Sequence, residues 1–240
     1  MVEALYKELA DWAHLLSPPH AYADEAANVM RWMEAAAGPV HRVLELGSCA
    51  GQLCSQLPSE WEIELLDRSP AMLEMSRKIN PDRVHHAQDM RSFELSGRFD
   101  AILLHDAVMY LQSPDELSQT FAQSFKHLRP GGALIVMPDF VAEEFEEHSI
   151  GAAATEGDRA IQLMEWHWDP DPADQQVRVD FAIMLRDGKE LRCVHDPHTM
   201  GSFSRQLWWD RLREAGFLPV EVPVDCLREE GELFLCRRSQ

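Results

Sequence analysis

The chain has 240 residues, 45% of them hydrophobic, and a formal charge of −19 from 22 basic and 41 acidic side chains. That length suits one domain with a small appendage, and the hydrophobic content excludes a disordered chain. So acidic a surface repels phosphate backbones and anionic bilayers, which argues against nucleic acid and membrane as partners.

The opening residues, MVEALYKELADWAHLL, lack a basic region followed by an apolar core, so no signal peptide is expected. No apolar run reaches about 18 residues, the length a spanning helix needs. The five cysteines (Cys49, Cys54, Cys193, Cys226, Cys236) are odd in number and scattered without a close CxxC pair. That usage fits a reduced, cytoplasmic protein with free thiols.

In chain order, Leu5, Leu9, Trp12 and Leu16 repeat at helical spacing until SPPH at Ser17–His20 breaks the helix. Tyr22, Ala26, Val29 and Met33 begin a second helix, ended near Gly38-Pro39. Residues 41–46 read as a buried strand, with a helix expected from about Ala50 to Leu57. EIELLDRSP is a second strand ending at Asp67, with Ser69 as helix cap and Pro70 in the first turn. RVHHAQD is a weaker third strand ending near Asp89, and FDAILLHD a strong fourth. Ser113-Pro114-Asp115-Glu116 has the form of a capping box, followed by a helix face of Leu117, Phe121, Phe125 and Leu128. Pro130-Gly131-Gly132 leads into a fifth strand, ALIVMPDF.

This alternation of strand and helix over the first 140 or so residues predicts a parallel sheet with helices on both faces. The pattern then changes. Met164, Trp166 and Trp168, then Val177, Val179, Phe181, Ile183 and Leu185, alternate with period two, and Asp187-Gly188 signals a hairpin. An antiparallel β insertion over 145–200 is expected. Trp208, Leu212 and Ala215 then form a helix face closed by Gly216, before two last strands, FLPVEVP and ELFLCRR.

The stretch VLELGSCAGQL, Val43–Leu53, is a strand feeding a glycine loop. It lacks the Gly-Lys-Ser/Thr of a P-loop and the three-glycine spacing that admits a pyrophosphate. Glu45, two residues before Gly47, is a poor neighbour for phosphate and a good one for a cation. Asp67, ending the next strand, is placed for ribose hydroxyls, and Asp89 for an exocyclic adenine amine. Together they suit an adenosine-bearing, positively charged ligand without phosphate, a description that S-adenosylmethionine meets.

On these residues the chain resembles the class I S-adenosylmethionine-dependent methyltransferases. ELGSCAG is similar to their first motif, LLDRSPAML to the second, AQDMRSF to the third, FDAILLHDAVMYL to the fourth, and LRPGGALIV to the turn before strand five. More loosely, AYADEA, the β insertion, HTMGSF and ELFLCRR resemble small-molecule methyltransferases such as the amino-sugar N,N-dimethyltransferases of the desosamine-pathway type. The resemblance implies an α/β, Rossmann-like fold with a mostly parallel seven-stranded sheet and an antiparallel β insertion roofing the active site. It divides the chain into a cofactor-binding core, 1–144 and 201–240, with an N-terminal helical lid, and a substrate cap, 145–200.

The implied cofactor set begins with Tyr22 and the loop residues Glu45, Gly47, Ser48, Cys49 and Gly51. It continues with Asp67, Arg68 and Met72 after strand two, Gln88, Asp89 and Met90 after strand three, and Leu104 and His105 at the end of strand four. Met72 is expected to pack near the adenine. Cys49 stands where the family has its middle glycine, and its side chain is placed to crowd the methionine part of the cofactor.

Methyl transfer from a sulfonium is an in-line displacement governed by orientation and exclusion of water. An oxygen nucleophile needs a base, whereas a neutral amine does not. His105, His198 and Tyr110 are the catalytic candidates, with Asp106 beside His105, and His148, His167 and His195 elsewhere in the roof. Plainer readings stand beside these. Glu45 serves equally to cap the loop. Trp166 and Trp168 suit packing on the sheet, and Tyr6, Trp12 and Tyr22 suit a helical core as well as a lid. EEFEEH, Glu143–His148, reads as a solvated helix face. No metal site is expected, since His195-Asp196-Pro197-His198 lacks evident partners.

The leading reading is a methyltransferase that modifies an amine or hydroxyl of a small molecule, working as monomer or homodimer. A non-catalytic scaffold of the same fold is the alternative that Cys49 motivates, and a nicotinamide oxidoreductase is disfavoured by the loop. The negative surface favours neutral or cationic acceptors over nucleotide-linked sugars, unless Arg205, Arg211 and Arg213 form a local basic patch.

Overall fold

The computed structural model describes residues 3–223, 226, 228 and 231–240. Short apolar runs become adjacent parallel strands. β1 (Arg42–Leu46) pairs in parallel with β2 (Glu62–Asp67) on one side and β4 (Phe99–Leu104) on the other. β3 (Val84–Ala87) extends the sheet beyond β2, and β5 (Leu128–Val136) beyond β4. Two late strands, β10 (Phe217–Pro219) and β11 (Phe234–Arg238), finish it, giving the order β10-β11-β5-β4-β1-β2-β3. β11 runs antiparallel to both neighbours. The strand order reverses between β1 and β4, where such a sheet opens a crevice at its carboxyl ends.

The central strands are buried on both faces. Leu44, Leu46, Ile102 and Leu104 belong to one core, and Val43, Leu65, Ala101 and Leu103 to the other. α2 (Ala23–Ala37) covers the second face with Val29, Trp32 and Met33. α4 (Pro114–His127) covers the first through Leu117 and Phe121, with α5 (Arg205–Glu214) packing Trp208 beside it. The cap signals hold. Ser69 Oγ accepts from the Met72 amide to start α3 (Pro70–Ile79), and Ser113 Oγ accepts from Glu116 to start α4.

Two expected helices before the β insertion differ. No α-helix spans Ala50–Leu57, where there is a single 3-10 turn, Cys54–Gln56. Gly51 sits at φ +72°, outside the helical region, and Leu57 is already extended before Pro58. The N-terminal helix is broken into a 3-10 turn, Ala4–Tyr6, and α1 (Ala10–Leu16). Tertiary bonds draw it apart: Asp196 accepts the amides of Ala4 and Leu5, and Ser69 Oγ donates to the Tyr6 carbonyl.

The β insertion is a four-stranded antiparallel sheet in the order β6 (His148–Glu156), β7 (Arg159–Trp168), β8 (Gln176–Asp187), β9 (Glu190–Gly201). Its two apolar stripes lie on opposite faces. Val177, Val179, Phe181, Ile183 and Leu185 of β8 are buried inward, while Met164 and Trp166 of β7 point outward, more than half exposed. Trp168 donates to Asp180 on that outer face. EEFEEH forms a turn and a loop entering β6 rather than a helix. Among the described residues no helix is long and apolar enough to cross a membrane.

Candidate functional site

A cavity of about 420 Å³ opens at the carboxyl ends of β1, β2 and β4, within the roughly 300–1,000 Å³ range of small-molecule sites. Its floor is the glycine loop, its wall the 3-10 turn Asp106–Tyr110 after β4, and its roof the inward faces of the antiparallel sheet at Ala152, Leu163, Phe181 and Met200. The N-terminal segment closes one side through Leu5 and Tyr6, held to the core by an ion pair of Glu3 with Arg68 at 3.0 Å.

The loop takes its shape from close approaches. A Cβ on Gly47, which sits at φ +68°, would fall 2.2 Å from the Ala107 side chain, so only glycine lets the loop pass the β4 turn. Cys49 holds a left-handed backbone, φ 51°, a conformation that glycine adopts most readily. Its Sγ turns to Met72 Sδ at 3.6 Å while the residue still lines the cavity. Asp67 fastens the loop to α3: Oδ2 accepts from the Cys49 amide at 2.8 Å and Oδ1 from the Ser69 amide at 2.7 Å. Burial raises the Asp67 carboxyl pKa against those two bonds.

Glu45 is 3% exposed, faces the cavity, and has no partner for its Oε2. Burial pushes its carboxyl up to about 8, opposed by His105 and reinforced by Asp67 and Glu25. Ser48 Oγ, beside it, is likewise buried without a partner. Two orphaned polar atoms on one cradle are what a bound ammonium and its neighbours would satisfy. His105 Nε2 lies 3.0 Å from Glu25 and 3.1 Å from Asp106. Burial opposes its charge, but Asp106 and Glu25 outweigh burial and raise it to about 9.

A chain of hydrogen bonds runs from the cavity into the protein. Tyr6 and Tyr110, both lining it, join hydroxyl to hydroxyl at 2.9 Å. Tyr110 meets His198 Nδ1 at 2.6 Å, and His198 Nε2 meets Asp196 Oδ2 at 3.0 Å. Burial, then Tyr6, hold the Tyr110 hydroxyl well above its ordinary range, so it donates as a phenol. In the neutral tautomer that gives its Nε2–H to the Asp196 carboxylate, His198 Nδ1 offers a lone pair toward the Tyr110 hydroxyl.

At the far end, Gln88, Asp89 and Met90 line the cavity. Arg91 grips both Asp89 oxygens and reaches Glu116, and its hydrogen bonds hold the Asp89 carboxyl below its ordinary range.

Of the expected cofactor residues, Tyr22, Glu45, Gly47, Ser48 and Cys49 meet at this cavity with Asp67, Arg68, Gln88, Asp89, Met90 and His105. Gly51, Met72 and Leu104 do not line it. Gly51 lets the loop pass Asn80 and Ser76, which a Cβ would meet at 2.4 and 2.5 Å. Met72 is buried against Ala10 and Ala50, and Leu104 lies in the sheet core. His198 is fully buried behind Tyr110 and does not touch the cavity. His195 sits on the opposite face of β9 from His198, paired with Asp180, so the two cannot form one ligand pair. Glu25, Asp139, Glu165 and Arg228 are neighbours the sequence reading did not single out. Asp139 follows β5, a strand-end position like those of Asp67 and Asp89; the others carry no local signal.

Residues 43–132 match the model of a methyltransferase domain family. The chain is 27% identical, over 86% of its length and 85% of the relative's, to a dTDP-3-amino-3,4,6-trideoxy-α-D-glucopyranose N,N-dimethyltransferase of Streptomyces venezuelae. Its fold is similar to that of DesVI from S. venezuelae, with a TM-score of 0.83, 22% identity and 96% of each chain covered. It is also similar to the SAM-bound structure of CalS10, an amino pentose methyltransferase of Micromonospora echinaspora, with a TM-score of 0.76, 26% identity, and 91% and 92% of the two chains covered.

Proposed function

We propose that this chain, a class I S-adenosylmethionine-dependent methyltransferase, transfers the methyl group to an amine or hydroxyl of a small molecule held beneath the antiparallel roof. The observation that carries the proposal is the convergence of Glu45, Asp67 and Asp89, from three successive strand ends, on one cavity where Glu45 Oε2 has no protein partner. Cys49, which motivated the scaffold alternative, keeps the left-handed backbone of the glycine it replaces.

When bound, S-adenosylmethionine supplies an electrophilic methyl on a sulfonium. The residues proposed to hold it are Glu45 and Ser48 at the amino acid end, Asp67 at the ribose and Asp89 with Met90 at the base. Tyr6, Tyr22 and the roof exclude water from the reacting region, which favours a preoriented displacement. His105, raised to about 9, carries its proton at neutral pH and is a donor there, not a base. The proton acceptor we assign is Tyr110. It takes the acceptor's proton on its oxygen while passing its own to His198 Nδ1, and Asp196 stabilises the imidazolium. Residues 145–200 act as the substrate cap. We place the enzyme in a reducing, cytoplasmic compartment, in keeping with five unpaired cysteines, and assign it no nucleic acid partner.

Calorimetry with S-adenosylhomocysteine on wild type and Asp67→Asn tests the reading. Micromolar binding to wild type, weakened at least tenfold in the variant, is expected. No binding to folded wild type at millimolar ligand would reject it.

A further inference from the structure

The cofactor cavity opens into a larger outer chamber of about 1010 Å³, sharing Tyr22, His105, Asp106, Asp139, Glu165 and His167 with it. The chamber gives an acceptor room to rest beside the inner cavity. Its walls are strongly acidic: Asp24, Glu25, Asp106, Glu144, Glu146 and Glu165 line it, with Asp139 beside Asp106. The opposing guanidinium is Arg228, the single Lys or Arg lining it among the described residues. It is already committed to the carbonyls of Pro138 and Glu232 and to Asp106. The arginines that would have formed a basic patch do not reach the chamber. Arg205 is paired with Glu144 and Glu232, Arg211 with Glu214, and Arg213 with Asp210.

Two of the carboxylates, Asp24 and Glu146, are exposed at the rim and have no side-chain partner among the described residues. Aromatic rings stand among the acids: Tyr22, and the Phe140–Phe145 pair with centroids 4.9 Å apart. Carboxylates interleaved with aromatic rings suit an ammonium group. An independent observation points the same way. His167 is 8% exposed, lines both chambers, and has no partner for Nδ1. Its Nε2 lies 3.0 Å from Glu165 Oε2; in the neutral tautomer that donates Nε2–H there, Nδ1 offers a lone pair to a donor. An N–H of an amine supplies that donor.

We propose, resting on the methyl-transfer reading above, that the acceptor is a phosphate-free molecule with at least two amino groups. One nitrogen enters the inner cavity as the nucleophile, and a second, protonated, is held in the outer chamber by Asp24, Glu146 and His167. This separates the chain from its relative named for a dTDP-sugar, since a pyrophosphate in this chamber would face carboxylates without a free guanidinium.

The test is calorimetry of spermidine and, separately, thymidine 5′-diphosphate against the whole chain, with and without saturating S-adenosylhomocysteine. The proteins are wild type and the double variant Asp24→Asn/Glu146→Gln, whose changes lie on the exposed rim. Spermidine should bind wild type, with affinity falling about five- to tenfold in the variant, as expected for losing two exposed ion pairs. Thymidine 5′-diphosphate should not bind at millimolar levels. Binding of thymidine 5′-diphosphate more tightly than spermidine, or equal spermidine affinity in both proteins, would overturn the proposal. Failure of S-adenosylhomocysteine to bind would strike the methyl-transfer reading instead, and the spermidine comparison without it still judges the chamber.

Discussion

Replacing Glu45 with glutamine should stabilise the ligand-free protein while weakening cofactor binding. The carboxyl is buried, its Oε2 is unpartnered, and burial raises it from 4.5 to about 8. A group whose folded pKa is raised binds its proton more tightly when folded. Its contribution is present below pH 4.5 and lost as pH rises through 8. Near pH 7 the folded carboxyl is about 90% protonated while the unfolded one is ionised, so folding carries a penalty of about 3 kcal/mol at 1.36 kcal/mol per unit. Glutamine keeps the shape and carries no such penalty. In urea denaturation, the stability difference between Glu45→Gln and wild type should therefore move by about 3 kcal/mol in the variant's favour from about pH 5 to about pH 7.5. Binding an ammonium-bearing ligand beside Glu45 should expel that proton. S-adenosylhomocysteine calorimetry in two buffers of different ionisation enthalpy should then show release of nearly one proton near pH 7 by wild type and none by the variant. Parallel stability-versus-pH curves, or no proton release by wild type, would refute the assignment of Glu45 as the buried acid facing the cofactor's cation.

Further outcomes follow from the same geometry. Tyr110→Phe and His198→Ala should each lower turnover by about 10²-fold, a typical general-base contribution, with the deficit shrinking as pH rises and the acceptor sheds its own proton. A deficit unchanged across the pH profile would leave Tyr110 a purely structural role. His105→Gln should flatten the stability curve between pH 6.5 and about 9, because the raised imidazole stabilises the fold fully below pH 6.5 and ceases to do so above about 9. Chemical denaturation across that window measures it. Cys49→Gly should change stability by less than about 1 kcal/mol, whereas Cys49→Val, a branched side chain at φ 51°, should cost about 1–2 kcal/mol and weaken S-adenosylhomocysteine binding. Thermal denaturation with calorimetry distinguishes the two.

The features legible from sequence are those set by neighbours along the chain. Apolar runs predict β1, β2 and β4; Ser69-Pro70 and Ser113-Pro114 mark helix starts; Glu45, Asp67 and Asp89 stand at strand ends by position alone. A parallel sheet brings strand ends to one edge, so these acids converge wherever the strand order places β1 beside β2 and β4. What tertiary structure decided is parity, contact and charge state. Period two shows that β7 has two faces, but only its register with β8 turns His167 inward and Trp166 out. Met72 shares the motif of Asp67, yet α3 turns it into the core, away from the cavity. His198 is hydrogen-bonded toward the cavity through Tyr110, 88 residues away in the chain. Asp196, near the end of the insertion, accepts the amides of Ala4 and Leu5 and breaks the N-terminal helix. Such contacts leave no trace in local spacing because their partners lie far apart in sequence. Burial, which only the fold creates, sets the protonation of Glu45, and Glu25, 80 residues away in the chain, joins the adjacent Asp106 in raising His105.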